Sequence, residues 1–317
     1  MFVMEKDTTR KALGSVVYDM AKADDKIIAV SGDGVGSMGL VEMQAAMPDR
    51  VINTGIAEQN AMNICAGLAS VGLKPIIAGF APFMTMRAIE QFRTFICYPH
   101  LNVTIAGGMG GLSASTEGVT HQGLEDLGIL RTIPGVVITA PADAASTRVI
   151  LKKLLEHDGP AYIRTSKGPV YSVFDAETYQ FEIGKANLLK DGTDVTIICN
   201  GPVVYRSLEA ADALEAEGIS VRVLEMPCIK PLDEEAVLKA ARETGAIVTV
   251  EDHQIIGALG SAVAECLSEN CPTYLKRLGI RDTFTESGDH YDLLDKYGMK
   301  STDIAAAAKE VMAKKNG

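Results

Sequence analysis

The 317-residue sequence is 47% hydrophobic with a net charge of −11; it is long enough for two domains with cores of their own, and its acidic balance argues against nucleic acid and anionic membrane as partners. Six cysteines without a CxxC pair read as reduced core residues, neither a disulfide framework nor a metal site. The opening MFVMEKDTTRK lacks the apolar core of a signal peptide, and no uncharged apolar run reaches the roughly 20 residues of a membrane span, so a cytoplasmic protein is expected.

The pattern KALGSVVYDMAKA predicts a helix over 11–23, and KIIAVS a short buried strand over 26–31. Strands over 51–53, 75–79, 103–106, 136–139 and 161–164 then alternate with helices, which implies a parallel sheet covered on both faces. Ligands of such sheets gather at the carboxyl ends of the strands. The apolar rhythm lapses in SVFDAETYQFEIG, a predicted linker. A second alternation follows, with strands over 195–199, 221–225 and 247–251 and helices over 203–217, 234–243 and 260–269. The expected division is one domain over 1–175, a linker over 176–192 and a second domain over 193–317, both α/β with parallel sheets in three layers.

Glu58 falls in the first turn of a predicted helix, where a carboxylate has an ordinary explanation in the helix dipole. The stretch after it, 61–71, carries small and apolar residues on nearly every side and so reads as buried all round, which would put Glu58 at the mouth of a dry site. Phe80 and Phe83 in GFAPF are either core or a platform for a flat ring. His121 lies in a polar stretch after the Gly-rich turn at 107–111, where contact with a substrate suits it better than a core role. Two glycine signals compete near residue 34. GVGSMG fits a dinucleotide pattern, but the next strand ends in Asn53, Thr54 and Gly55 without the acidic residue that pattern needs. Gly32-Asp33-Gly34 with a distant Asn60 mimics a diphosphate and magnesium motif, yet Asn60 lies inside the predicted helix, so no metal site is expected on this chain. An Arg is usually a solvated charge, but Arg164 follows a predicted strand where sites form, and its guanidinium suits a phosphate oxygen pair.

Taken together, Ile56-Ala57-Glu58, the Phe80/Phe83 pair, Thr120-His121-Gln122, Ile133-Pro134-Gly135 and Ala140-Pro141-Ala142-Asp143 resemble, in order and spacing over essentially the whole chain, the transketolase family of thiamine-diphosphate enzymes. The matching half of that family carries the pyrimidine-binding domain and the C-terminal domain. The resemblance implies that Glu58 hydrogen-bonds the aminopyrimidine of thiamine diphosphate and favours its imino tautomer, with Phe80 and Phe83 stacking on the ring. It also implies that His121 and Glu117 face the sugar, and that Arg10, Ser37 and Arg164 grip its phosphate. The diphosphate and its Mg2+ would be held by a separate N-terminal-half subunit, in an α2β2 heterotetramer. The implied reaction is transfer of a two-carbon ketol unit from a ketose phosphate or sulfonate to an aldose. A 2-oxoacid dehydrogenase beta subunit and a deoxyxylulose-phosphate synthase are the alternatives, and a non-catalytic regulatory partner is a third; THQGLEDLGILRTIPG favours the transketolase and synthase side, and a synthase would carry its cofactor half in the same chain. Two positions depart from the family pattern: Met109 stands where transketolases have a second histidine, and Glu117 where they have an aspartate that reads a sugar hydroxyl. The expected donor is therefore a ketose other than xylulose 5-phosphate.

Overall fold

A computed structural model describes residues 6–316. In chain order it runs β1 (Lys6–Asp7), α1 (Thr9–Ala23), β2 (Ile27–Ser31), α2 (Val41–Ala46), β3 (Val51–Asn53), α3 (Glu58–Ser70), β4 (Lys74–Phe80), α4 (Ile89–Gln91), β5 (Thr104–Gly108), α5 (Asp126–Arg131), β6 (Val137–Thr139), α6 (Ala144–Glu156), β7 (Ala161–Arg164) and β8 (Val170–Tyr171). The second part continues with β9 (Asn187–Lys190), β10 (Val195–Cys199), α7 (Val204–Ala216), β11 (Val221–Glu225), β12 (Cys228–Lys230), α8 (Glu234–Thr244), β13 (Ala246–Gln254), α9 (Leu259–Asn270), β14 (Tyr274–Ile280), α10 (His290–Lys296) and α11 (Ser301–Asn316).

Two sheets carry the architecture. The first has the order β12-β6-β7-β5-β4-β2-β3, parallel except for its edge strand β12. The second has the order β14-β13-β10-β11-β9, parallel except for β9. Apolar strands such as IIAVS and VTIIC are buried over almost their whole length, as a sheet covered on both faces requires. This α/β fold with two mainly parallel sheets is the one that the alternation of apolar strands and helices implies.

Three local features refine this reading of the sequence, the first of them a correction. First, α3 is not buried all round. Glu58, Ala61, Met62, Cys65 and Ala66 are buried while Gln59, Asn60, Asn63, Gly67 and Ser70 are exposed, because small residues suit a solvent-facing helix surface as well as a tight core. Second, the linker is not a simple tether. Tyr179 and Phe181 are buried in the first core, and residues 187–190 form the β9 edge of the second sheet. Third, β12 lies in the second part of the chain but pairs with β6 of the first sheet. The six cysteines carry free thiols, five of them buried, and burial pushes the Cys97, Cys199 and Cys228 thiols up to about 12, so they are unreactive.

Among the described residues, no helix is long and apolar enough to cross a membrane. The GVGSMG glycines have a packing reason. A Cβ on Gly14 would lie 1.9 Å from the Gly39 carbonyl oxygen, and Gly39 has φ +76°. These two glycines let α1 approach the loop after β2, which brings Arg10 beside Ser37.

Candidate active site

The carboxyl ends of four adjacent parallel strands, β7, β5, β4 and β2, build the site. Glu58 opens α3 with Ala57 at the N-cap position, and is only 3% exposed. With Asp33, Phe80, Phe83, Met84 and His121 it lines a cleft of about 200 Å3. Phe80 and Phe83 lie 6.0 Å apart between ring centroids, and His121 sits 5.8 Å from the first and 5.2 Å from the second. The Thr120 hydroxyl is 2.9 Å from His121 Nδ1, which leaves Nε2 for a ligand oxygen.

The buried Glu58 carboxylate is not alone. Arg87 Nη1 donates to Glu58 Oε2 at 2.8 Å, and the same guanidinium lies 4.4 Å from the Phe83 ring centroid. A buried carboxylate needs such a partner. Nothing in the sequence pointed to Arg87, because the π-helical segment Phe83–Arg87 that turns it back toward α3 leaves no periodic signature.

Beside this cleft, and sharing Phe80 with it, is a crevice lined by Arg10, Ser37, Met109, Thr165, Ser166 and Lys167. Thr9 Oγ1 accepts from Ser166 N at 2.9 Å, which ties the start of α1 to the loop after β7. Lys167 N donates to Ser113 Oγ at 3.2 Å, tying that loop to the short 3-10 stretch Gly111–Glu117. Lys167 Nζ lies 2.7 Å from Glu117 Oε1. Among the described residues the Arg10 guanidinium pairs with no carboxylate, so it is available to an anion. Asp33, Met109 and Ser115 all have positive φ, at 63°, 57° and 59°, and such strained backbone collects at functional sites.

Arg164 requires a correction. It is 7% exposed and every guanidinium nitrogen is committed: Nε to Asp126 Oδ2 at 3.0 Å, Nη1 to Asp252 O at 2.7 Å, and Nη2 to Asp126 Oδ1 at 3.1 Å and to Gly123 O. It therefore joins the two domains, with four of its five N–H donors spent inside this buried network. Tyr162 Oη adds a donor to Asp126. Burial holds His253 down to about 4, so it is neutral and accepts from Gly128 N at 3.3 Å. Lys167, three residues further along, is the cation of this stretch that lines the crevice. Sequence alone does not single it out, because a lysine in a loop is ordinarily a solvated charge.

A buried carboxylate against two ring faces fits a flat heteroaromatic ring, and the neighbouring crevice with two cations fits a separate anionic group. The family models agree: the transketolase pyrimidine binding domain matches residues 5–171, and the transketolase C-terminal domain matches residues 184–304. The chain belongs to the transketolase family. It is similar to the 6-deoxy-6-sulfo-D-fructose transketolase subunit SqwH of Clostridium sp. (strain MSTE9), 40% identical over 99% of this chain and 97% of that protein. It is also similar to a subunit of the apulose-4-phosphate transketolase of Phocaeicola vulgatus, 40% identical over 96% of this chain and 97% of that one. A solved split-gene transketolase, described as an inactive beta4 tetramer, superposes with TM-score 0.90 at 42% identity over 98% of this chain and 100% of its own. The 1-deoxy-D-xylulose-5-phosphate synthase of Heliobacterium modesticaldum is 37% identical over 98% of this chain and 49% of that protein.

Proposed function

We propose that this chain is one subunit of a split transketolase that takes a two-carbon ketol unit from an anionic ketose and passes it to an aldose. The observation that carries the reading is the Glu58 cleft between Phe80, Phe83 and His121, side by side with the Arg10, Ser37 and Lys167 crevice. Two relatives that match nearly the whole of this chain are named as subunits of a 6-deoxy-6-sulfo-D-fructose transketolase and an apulose-4-phosphate transketolase.

Thiamine diphosphate, when bound, supplies the carbon nucleophile of the reaction. The residues of this chain prepare its surroundings. Glu58, with Oε2 occupied by Arg87, keeps Oε1 for the proton of a ring nitrogen. Phe80 and Phe83 offer apolar faces that exclude water and orient a flat ring. His121 Nε2 is placed for a sugar hydroxyl, and Arg10, Ser37 and Lys167 for the terminal phosphate or sulfonate. Glu117 is held by Lys167, so an arriving anion competes with a carboxylate for that ammonium. Met109 supplies no strong hydrogen bond. These two features support a donor other than xylulose 5-phosphate, with a different length, branch or terminal anion.

In this reading the diphosphate and its Mg2+ belong to a partner subunit in an α2β2 assembly, a division supported by relatives that are named as transketolase subunits. Calorimetry on the isolated chain should give weak thiamine diphosphate binding or none, since a diphosphate without its metal and donors is costly to desolvate; adding the partner should bring tight binding and ketol transfer. Tight, magnesium-dependent binding to this chain alone would overturn the split arrangement.

Lys167→Met should lower kcat/KM for an anionic ketose by about 10- to 100-fold, the scale of a hydrogen bond to a charged group, and change it little for an uncharged ketose. Equal losses on both substrates would remove Lys167 from the anion site.

A further inference from the structure

Among the described residues, none from the second domain lines the Glu58 cleft or the Arg10 crevice, yet that domain grips the loop that carries Glu117 and His121. Asp252 at the end of β13 accepts from Leu112 N, at 2.9 Å through Oδ1 and 3.1 Å through Oδ2, and His290 Nε2 lies 3.4 Å from its Oδ2. Gln122, adjacent to His121 and 2% exposed, donates through Nε2 to Glu286 O at 2.9 Å and accepts from the Thr285 hydroxyl. Gln254 N donates to Leu124 O at 3.0 Å. The fit is close elsewhere along the loop as well. A Cβ on Gly111 would meet Asp252 Oδ2 at 2.1 Å, and one on Gly118 would meet Ser287 Oγ at 2.5 Å.

We propose that the C-terminal domain serves the reaction by holding the 109–124 loop in register, with Thr285 and Asp252 as positioning residues that act through Gln122 and Leu112 on His121 and Glu117. The proposal rests on the reading given above, in which His121 meets a sugar hydroxyl and Glu117 pairs with Lys167 at the anion crevice. The physical reason is the loop's composition. Residues 107–118 include Gly107, Gly108, Gly110, Gly111 and Gly118 and strained φ at Met109 and Ser115, so the segment has many other conformations open to it and needs external hydrogen bonds to keep one. The Gln122 side chain and its bond to Thr285 are buried, where loss of a partner leaves a polar group unsatisfied.

Thr285→Val keeps shape and removes only the hydroxyl; Gln122→Met removes both side-chain bonds; Thr285→Ser restores the donor. Hydrogen exchange on the full-length chain should show the 109–124 amides exchanging on the order of tenfold faster in Thr285→Val and Gln122→Met, with the rest of the molecule unchanged, and should return to the wild-type rate in Thr285→Ser. In the enzyme reconstituted with its partner, the same two variants should raise the donor-ketose KM on the order of tenfold with a smaller change in kcat and leave the affinity for thiamine diphosphate as it was. Wild-type exchange rates together with a wild-type donor KM in Thr285→Val and Gln122→Met would overturn the positioning role. Faster exchange without a KM change would overturn its link to substrate. A reconstituted wild type that transfers no ketol unit would count against the transferase reading, and exchange would then decide the loop-holding role on its own.

Discussion

Replacing Glu58 by Gln in the reconstituted enzyme should lower turnover by on the order of a hundredfold or more, the scale expected for loss of a positioned acid–base group. The variant isolates chemistry from folding. The new amide side chain would fill nearly the same buried volume, would sit in the same first turn of α3, and could still accept from Arg87 through its oxygen, so the contact that Arg87 makes with Glu58 at 2.8 Å need not be broken. What it cannot do is share a proton with a ring nitrogen as a carboxylate does. Thermal unfolding should therefore stay near wild type, and cofactor binding by the assembled enzyme should weaken far less than kcat falls. Near-normal turnover with cofactor bound would remove Glu58 from the mechanism.

The second large effect is on stability. Arg164→Met should destabilise the chain by about 3–5 kcal/mol, the cost of removing one partner from a buried ion pair. At roughly 2–4 °C per kcal/mol for chains of 150–250 residues, this is a loss of about 10 °C in Tm. The Asp126 carboxylate would be left with the Tyr162 hydroxyl as its remaining close donor and the neutral His253 ring 3.8 Å away, while the Gly123 and Asp252 carbonyls would each lose a donor. Lys167→Met should behave in the opposite way, losing substrate affinity with little loss of stability, because its partly exposed pair with Glu117 contributes little to folding. An Arg164→Met chain as stable as wild type but with impaired substrate binding would return Arg164 to the anion site and displace Lys167.

Much of the site was legible because local order in the chain maps simply onto space. Glu58 opens a helix just beyond a strand, a position that period and turn signals mark directly. Phe80 ends β4, and Phe83 follows it by one turn. His121 follows a Gly-rich turn, and the alternation of strands and helices implies that all of these converge at one end of a parallel sheet. The two mainly parallel sheets follow from the same periodicity, since strands buried on both faces read as continuous apolar runs.

What the sequence did not disclose depends on contacts between segments far apart in the chain. Arg164 and Lys167 lie three residues apart on the same stretch, and by residue type the arginine was the better anion ligand. In the folded chain Lys167 lines the crevice while Arg164 is buried against Asp126, which lies 38 residues away and meets it only when α5 packs beside the end of β7. The same holds for β12, whose three residues leave the second domain to pair with β6, and for α3, whose small residues could have been buried on all sides. Periodicity tells which face of an element is apolar; it does not tell what that face will meet. By itself the sequence determined the class of the sheets and the identity of Glu58, Phe80, Phe83 and His121 as a constellation. Only the folded chain decided which cations face the crevice and which are consumed in holding the two domains together, because ion pairing is set by distance in space and leaves no period in the chain.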